Sequence, residues 1–302
     1  MMRIGLQFDP RGNPDIESLL DDFLRAEREG FDSIWMGQVF DHDILTLLAM
    51  AGIQTQRIEL GTSVVPLPTR HMTTLAQQAL TTQLASGGRL CLGVGFGHAA
   101  ILDKKLGLEF DRPVARTREA LEVLRPLLRG EYVKYAGDYQ RMRVGTPIAG
   151  ADAPPVILAA LGPRMIELAG ELADGVTLVF AGAGFIGSQV SPRLPAESRI
   201  VASVPVALTE NTGQVAELID EYTAPSMVLP PYQRTMAAQG IHRVSELSIL
   251  GNEAALEEGL ARLEASGTTD LNPILVSGPP DPGCAARTRQ FLADRARRNR
   301  GE

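Results

Sequence analysis

Four short stretches gather polar groups suited to chemistry, and each follows a run of apolar residues: "GQVFDHD" (37–43), "VPLPTRH" (65–71), "GVGFGH" (93–98) and "LGPRM" (161–165). They supply imidazoles at His42, His71 and His98, an amide at Gln38, a carboxylate at Asp41 and a guanidinium at Arg164. Imidazole titrates near neutral pH, so His98 suits either donation of a proton to a substrate or a hydrogen bond to a coenzyme. Gly95 and Gly97 beside it let the backbone approach a flat ring or a phosphate closely, because glycine carries no side chain. In the fourth stretch the amides of Leu161 and Gly162 precede Pro163, a residue suited to the first position of a helix. Such a helix start is a ready anion site, where Arg164 either adds charge or simply meets solvent.

A fifth stretch, "VFAGAGFIGSQV" (179–190), spaces Gly182, Gly184 and Gly187 as G-x-G-x-x-G. A dinucleotide turn also needs a helix behind it and an acid about 20 residues on. Pro192 and Pro195 leave little room for that helix, and Glu210 comes too late. The stretch therefore reads as a flexible glycine-rich connection after a strand.

The elements that must position these groups alternate along the chain. Apolar runs at 3–8, 32–36, 57–65, 89–95, 155–160, 175–180, 199–208 and 270–276 predict eight strands, most of them buried on both faces. Helices fall between them. The first has Asn13 as cap, Pro14 at its first position, Asp15 and Glu17 in its first turn, a stripe of Ile16, Leu19, Leu20 and Phe23, and an end at Gly30. Others cover 44–53, 73–85 and 165–173, and two more carry Ala120, Val123, Leu124 and Leu127, and Leu256, Leu260 and Leu263. The class is α/β, and eight such units predict one (β/α)8 TIM barrel over residues 1–302. Two segments exceed the minimal barrel: a hairpin-like excursion near 131–153 and an insertion near 224–251. Both are expected to wall a pocket at the C-terminal ends of the strands, where this architecture builds its chemistry.

A net charge of −7 in 302 residues argues against a nucleic-acid surface, which needs concentrated positive charge. The basic end "RARRNRGE" reads as a solvated helix terminus. Cys91 and Cys284 lie in unlike settings, so no disulfide is expected. No apolar stretch approaches the ~20 residues of a membrane span, no signal segment is evident, and a cytoplasmic protein is expected.

Six segments in order, "GFDSIWMGQ" (30–38), "RIELGTSVVPLPTRH" (57–71), "GGRLCLGVGFGH" (87–98), "FDRP" (110–113), "LEVLRPLLRGE" (121–131) and "AALGPRMIELAGELADG" (159–175), resemble the bacterial luciferase-like family of flavin and deazaflavin enzymes. The likeness runs over nearly the whole chain and is strongest to the branch that uses coenzyme F420. It implies a non-proline cis peptide between Ser63 and Val64, in a bulge of strand three that backs the coenzyme ring. It implies coenzyme contacts from Gly95, Phe96, Gly97 and His98, and a coenzyme phosphate at Leu161 and Gly162, with Arg164 adding charge. It also leaves room for a homodimer.

One departure stands out. Many relatives carry an acid followed by histidine after strand two, where this chain has Gln38 and Val39, while Asp41 and His42 are shifted by three positions. The polar groups expected near the reaction are therefore His98, Gln38 and His42, with no metal. His71 is expected to be structural, and Trp35 to pack within the barrel. The resulting expectation is an F420-dependent oxidoreductase that passes a hydride between the deazaflavin and a small organic substrate, by C=C or C=N reduction or by alcohol oxidation. Its rivals are an FMN-dependent monooxygenase of the same fold and a barrel that binds a flavin without turnover.

Overall fold

A strand without a solvent face finds its neighbours through crossover helices, and the continuously apolar runs do pair in this parallel manner. The computed structural model describes residues 1–8 and 14–302. In chain order the first half contains β1 (Arg3–Phe8), α1 (Ile16–Glu29), β2 (Ser33–Met36), α2 (Ile44–Gln54), β3 (Glu59–Thr62), β4 (Val65–Pro66), α3 (Met72–Ala85), β5 (Leu90–Gly95), α4 (Ala99–Leu106) and α5 (Pro113–Leu128). There follow β6 (Tyr132–Ala136), β7 (Arg141–Gly145), β8 (Val156–Ala159), α6 (Pro163–Leu172), β9 (Gly175–Val179), α7 (Ala183–Phe185), β10 (Arg199–Ser203) and β11 (Val206–Leu208). The chain ends with α8 (Thr212–Met227), α9 (Pro230–Gln239), β12 (Ile249–Gly251), α10 (Glu253–Ala265), β13 (Asp270–Leu271) and α11 (Cys284–Arg300).

The sheet runs β3, β2, β1, β13, β10, β9, β8, β5, and a further pairing of β3 with β5 closes it into an eight-strand parallel barrel. β4 continues β3 beyond a break. Gly61 pairs with Cys91 and Val65 with Val94, so four steps along one strand (61 to 65) face three along the other (91 to 94). The break is thus a one-residue bulge, and the peptide bond between Ser63 and Val64 within it is cis, as the resemblance implied.

Trp35, Cys91, Ile157 and Val201 fill the barrel. Glycine is required opposite the indole, since a Cβ on Gly61 would lie 2.1 Å from Trp35. At the N-terminal end, Arg199 reaches Glu59 at 2.8 Å and Asp270 at 2.6 Å, and Arg3 reaches the same two carboxylates at 3.1 and 3.4 Å. This cluster plugs the end of the barrel remote from the loops.

Several expectations need correction. Asn13 lies outside the described residues; the cap of α1 is Asp15, whose side chain accepts from the Ser18 amide, so Pro14 stands outside the helix. Ile16 is exposed, because the buried stripe begins only at Leu19. The seventh apolar run divides: β10 stays in the barrel, while β11 leaves it to pair with β12. Outside the barrel, β11 and β12 form a parallel pair and β6 with β7 an antiparallel hairpin. The glycine stretch is not a flexible connection. It winds through α7, a π-turn (Ile186–Val190) and a 3-10 turn (Ser191–Arg193), in which Pro192 takes an early position that needs no N–H. The basic terminus is pinned to the barrel rather than merely solvated: Arg297 and Arg300 donate to the carbonyls of Glu29 and Gly30 that end α1, and Arg300 pairs with Asp32 at 2.6 Å. Both cysteines are buried and free. No helix among the described residues is long and apolar enough to cross a membrane.

Candidate active site at the C-terminal mouth of the barrel

β5 delivers the chain to the mouth at Gly95. Phe96 then turns inward against the edge of Phe110, with ring centroids 5.4 Å apart, and Gly97 adopts a φ of 90° that glycine tolerates best. This turn sets His98 at the start of α4. The imidazole Nε2 lies 3.2 Å from the Tyr232 hydroxyl, with ring centroids 5.1 Å apart, and Tyr232 meets Phe180 edge-on at 5.5 Å. His98 Nδ1 is buried and has no partner among the described residues.

Burial holds the His98 pKa below its ordinary 6.5, and burial pushes the Tyr232 hydroxyl up to about 12. Both groups are therefore neutral at pH 7. No carboxylate pairs with His98 among the described residues, so nothing there opposes the effect of burial. In an NMR titration the His98 ring protons are expected to show a midpoint below 6.5, and a midpoint at or above 6.5 would contradict the buried placement. The sign for stability follows: the contribution is complete above pH 6.5 and declines as pH falls through the lowered folded value, since the unfolded chain binds the proton first.

Tyr232, Phe180 and Gln239 escaped the sequence reading, because α9 belongs to an excursion whose return point no local pattern announces. Gln239 bolts that helix to the end of β9: its amide donates to the Phe180 carbonyl at 2.9 Å, and its carbonyl accepts from the Gly182 amide at 2.8 Å. This use of the Gly182 amide also removes a donor that a nucleotide turn would present to a phosphate.

The loop after β2 places Gln38 differently from a catalytic group. Its carbonyl accepts from the Ile44 amide at 3.0 Å and from Arg70 at 3.1 Å, and its amide donates to the His42 carbonyl at 3.3 Å. Arg70 is itself ion-paired with Asp43, the cap of α2. Gln38 is thus a strut. The atoms with spare capacity here are Asp41 Oδ1 and His42 Nδ1, which are buried and have no partner among the described residues. His71 caps α3, accepting from the Thr73 amide at 3.3 Å, a structural role as expected.

Ser63 and Val64 are half-buried at the bulge. A Cβ at Gly95 would stand 2.9 Å from Val64 Cγ2 and 3.0 Å from the Ala159 Cβ, so Val64, Gly95 and Ala159 form a close-packed floor. Beyond β8, Gly162 caps α6 with Pro163 in its first turn. A cavity of about 330 Å3 opens at this helix start, lined by Leu161, Gly162, Phe185, Arg193 and Arg234 among others. Arg193 sits 3.9 Å from Glu167, whereas Arg164 and Arg234 pair with no acid among the described residues. A larger cavity of about 490 Å3 lies between α7 and α10, and its polar groups Gln239 and Glu246 already hold backbone partners. No cluster of three or more His, Cys, Asp or Glu among the described residues could hold a metal ion.

Comparison with known proteins places this geometry. Residues 3–297 match the family model described as luciferase-like monooxygenase. An F420-dependent glucose-6-phosphate dehydrogenase of Intrasporangium calvum is 36% identical over 186 residues, which cover 56% of this chain and 54% of that enzyme. The chain spans about half the length of the curated relatives it matches. In fold it is similar to an F420-dependent secondary alcohol dehydrogenase in complex with an F420-acetone adduct, with a TM-score of 0.78 at 18% identity, covering 97% of this chain and 98% of that one. It is similar as well to the FMN-bound oxygenating constituent of 3,6-diketocamphane monooxygenase from Pseudomonas putida, with a TM-score of 0.73 at 18% identity and 97% of each chain covered. With a barrel closed around a bulged third strand and a match over almost its full length, the chain belongs to the luciferase-like monooxygenase family.

Proposed function

We propose that this protein is a coenzyme F420-dependent oxidoreductase acting on a small organic substrate. The observation that carries the reading is that one helix, α9, borders both His98 and the cavity at the start of α6. Its Tyr232 touches His98, while its Arg234 and Thr235 line the cavity at the start of α6.

The residues present fit such a coenzyme. The floor of Val64, Gly95 and Ala159 offers an apolar bed for a flat ring, flanked by Ser63, Phe96 and Gly97. The start of α6, with Leu161 and Gly162 and with Arg234, which pairs with no acid among the described residues, offers an anion cradle for a phosphate, whereas Arg164 is not among the residues lining that cavity. The chemistry supplied by a bound deazaflavin is gain or loss of a hydride at its carbon 5. This chain's part is placement. Phe96, Phe180 and Tyr232 exclude water from the mouth. His98, whose Nδ1 has no partner among the described residues, handles the companion proton or the charge that develops with it, and among those residues His42 is the other imidazole with a buried, unpartnered nitrogen. Gln38 acts at one remove, by holding the loop that carries His42.

The 36% identical relative named for F420 supports this coenzyme over FMN, and the FMN-bound structural neighbour keeps the second reading in view. Titration of the purified protein with F420 and with FMN separates them. Binding of F420 at least about tenfold tighter, a difference of about 1.4 kcal/mol, is expected. Reduction of bound F420 by propan-2-ol or glucose 6-phosphate would then identify a substrate class. Tighter FMN binding, with oxygen consumption on supply of reduced FMN, would overturn the proposal.

A further inference from the structure

We propose that Tyr232 is a positioning residue whose hydroxyl donates to His98 Nε2 and so fixes the ring as its Nδ1–H tautomer, presenting Nδ1–H to an acceptor atom on the substrate.

The argument is one of hydrogen-bond accounting. A tyrosine hydroxyl can donate or accept, and a neutral imidazole carries its proton on one nitrogen only. If Nε2–H donated to Tyr232, the phenolic proton would have no acceptor among the described residues, and the buried Nδ1 would be a bare lone pair. If instead Tyr232 donates to Nε2, its proton is used and a single unmet group remains, the Nδ1–H. Buried groups are arranged so that the fewest stay unmet, and the second arrangement has fewer.

The surroundings hold this geometry. Tyr232 is wedged between the His98 and Phe180 rings, at centroid distances of 5.1 and 5.5 Å. The helix that carries it is bolted to the end of β9 through Gln239, two turns further on. The hydroxyl therefore has one partner and little freedom to leave it.

The consequence rests on the reading of His98 as the group that faces the reacting atoms. A site that presents a fixed N–H suits a substrate whose reacting end is an acceptor, such as a carbonyl oxygen or an imine nitrogen. It suits less well one that must surrender a proton to the enzyme.

The test needs no coenzyme. In the full chain labelled with 15N at histidine, the wild-type spectrum is expected to show His98 with a protonated Nδ1 and a bare Nε2. Tyr232→Phe keeps the ring contacts and removes the hydroxyl, so an unchanged melting temperature is expected together with a shift of the ring nitrogens toward the Nε2–H tautomer. A wild-type Nε2–H pattern would overturn the proposal without recourse to any variant, as would an identical pattern in Tyr232→Phe. A chain with the expected spectrum that fails to bind F420 would retain the Tyr232 assignment and lose the functional reading instead.

Discussion

His98→Ala is expected to slow hydride transfer by about 10²-fold to 10⁴-fold, the range for loss of a group that handles a proton in the transition state. Its stability should suffer little. The residue is half-buried at the start of a short helix, its backbone carbonyl bonds survive the substitution, and among the described residues its side chain bonds only Tyr232, with Nδ1 unpartnered. A loss near 1 kcal/mol corresponds to a fall of about 2 °C in Tm for a chain of this length. Melting temperature, F420 Kd and single-turnover transfer with the donor identified by the coenzyme experiment separate the alternatives. Near-parental melting and binding with slow transfer would support the assigned role. Weak binding with normal transfer at saturation would make His98 a coenzyme anchor. Unchanged binding and transfer would remove it from the site and direct attention to His42, the other imidazole with a buried free nitrogen.

The barrel was legible in the sequence because its strands are short apolar runs buried on both faces, a pattern that few other arrangements produce. The start of α6 was legible for a local reason: Gly162 and Pro163 define a helix start wherever they fold. His98 was visible as a polar residue closing a glycine loop. Its partner was not, since Tyr232 lies 134 positions away on a helix whose return to the mouth depends on tertiary contacts. Gln38 was visible by its place after β2, whereas the three groups of the fold that claim its side chain were not, since residue type says nothing about occupancy. The Gly182 stretch misled by its prolines, which forbid a long α-helix, yet Pro192 fits the start of a short 3-10 turn and Pro195 follows its end.

Arg199→Met is expected to destabilise the fold by about 3 kcal/mol, at the lower end of the range for removing one partner of a buried ion pair. Asp270 is only 1% exposed and would keep a charge facing Arg3 alone, at 3.4 Å, while Glu59 would lose its 2.8 Å contact. Partial access of water to Arg199 and Glu59, and the surviving Arg3, keep the loss from being larger. For a chain of this length the corresponding fall in Tm is about 5 °C. Coenzyme binding should be unchanged, because the cluster closes the end of the barrel opposite the loops, where side chains serve stability rather than chemistry. The same reasoning fixes the control. Most of the cost is the uncompensated carboxylate, so adding Asp270→Asn to Arg199→Met should recover part of the lost stability instead of adding to it. A single variant that melts within 1 °C of the parent, or a double variant no more stable than Arg199→Met alone, would show that the cluster is not the plug its distances describe.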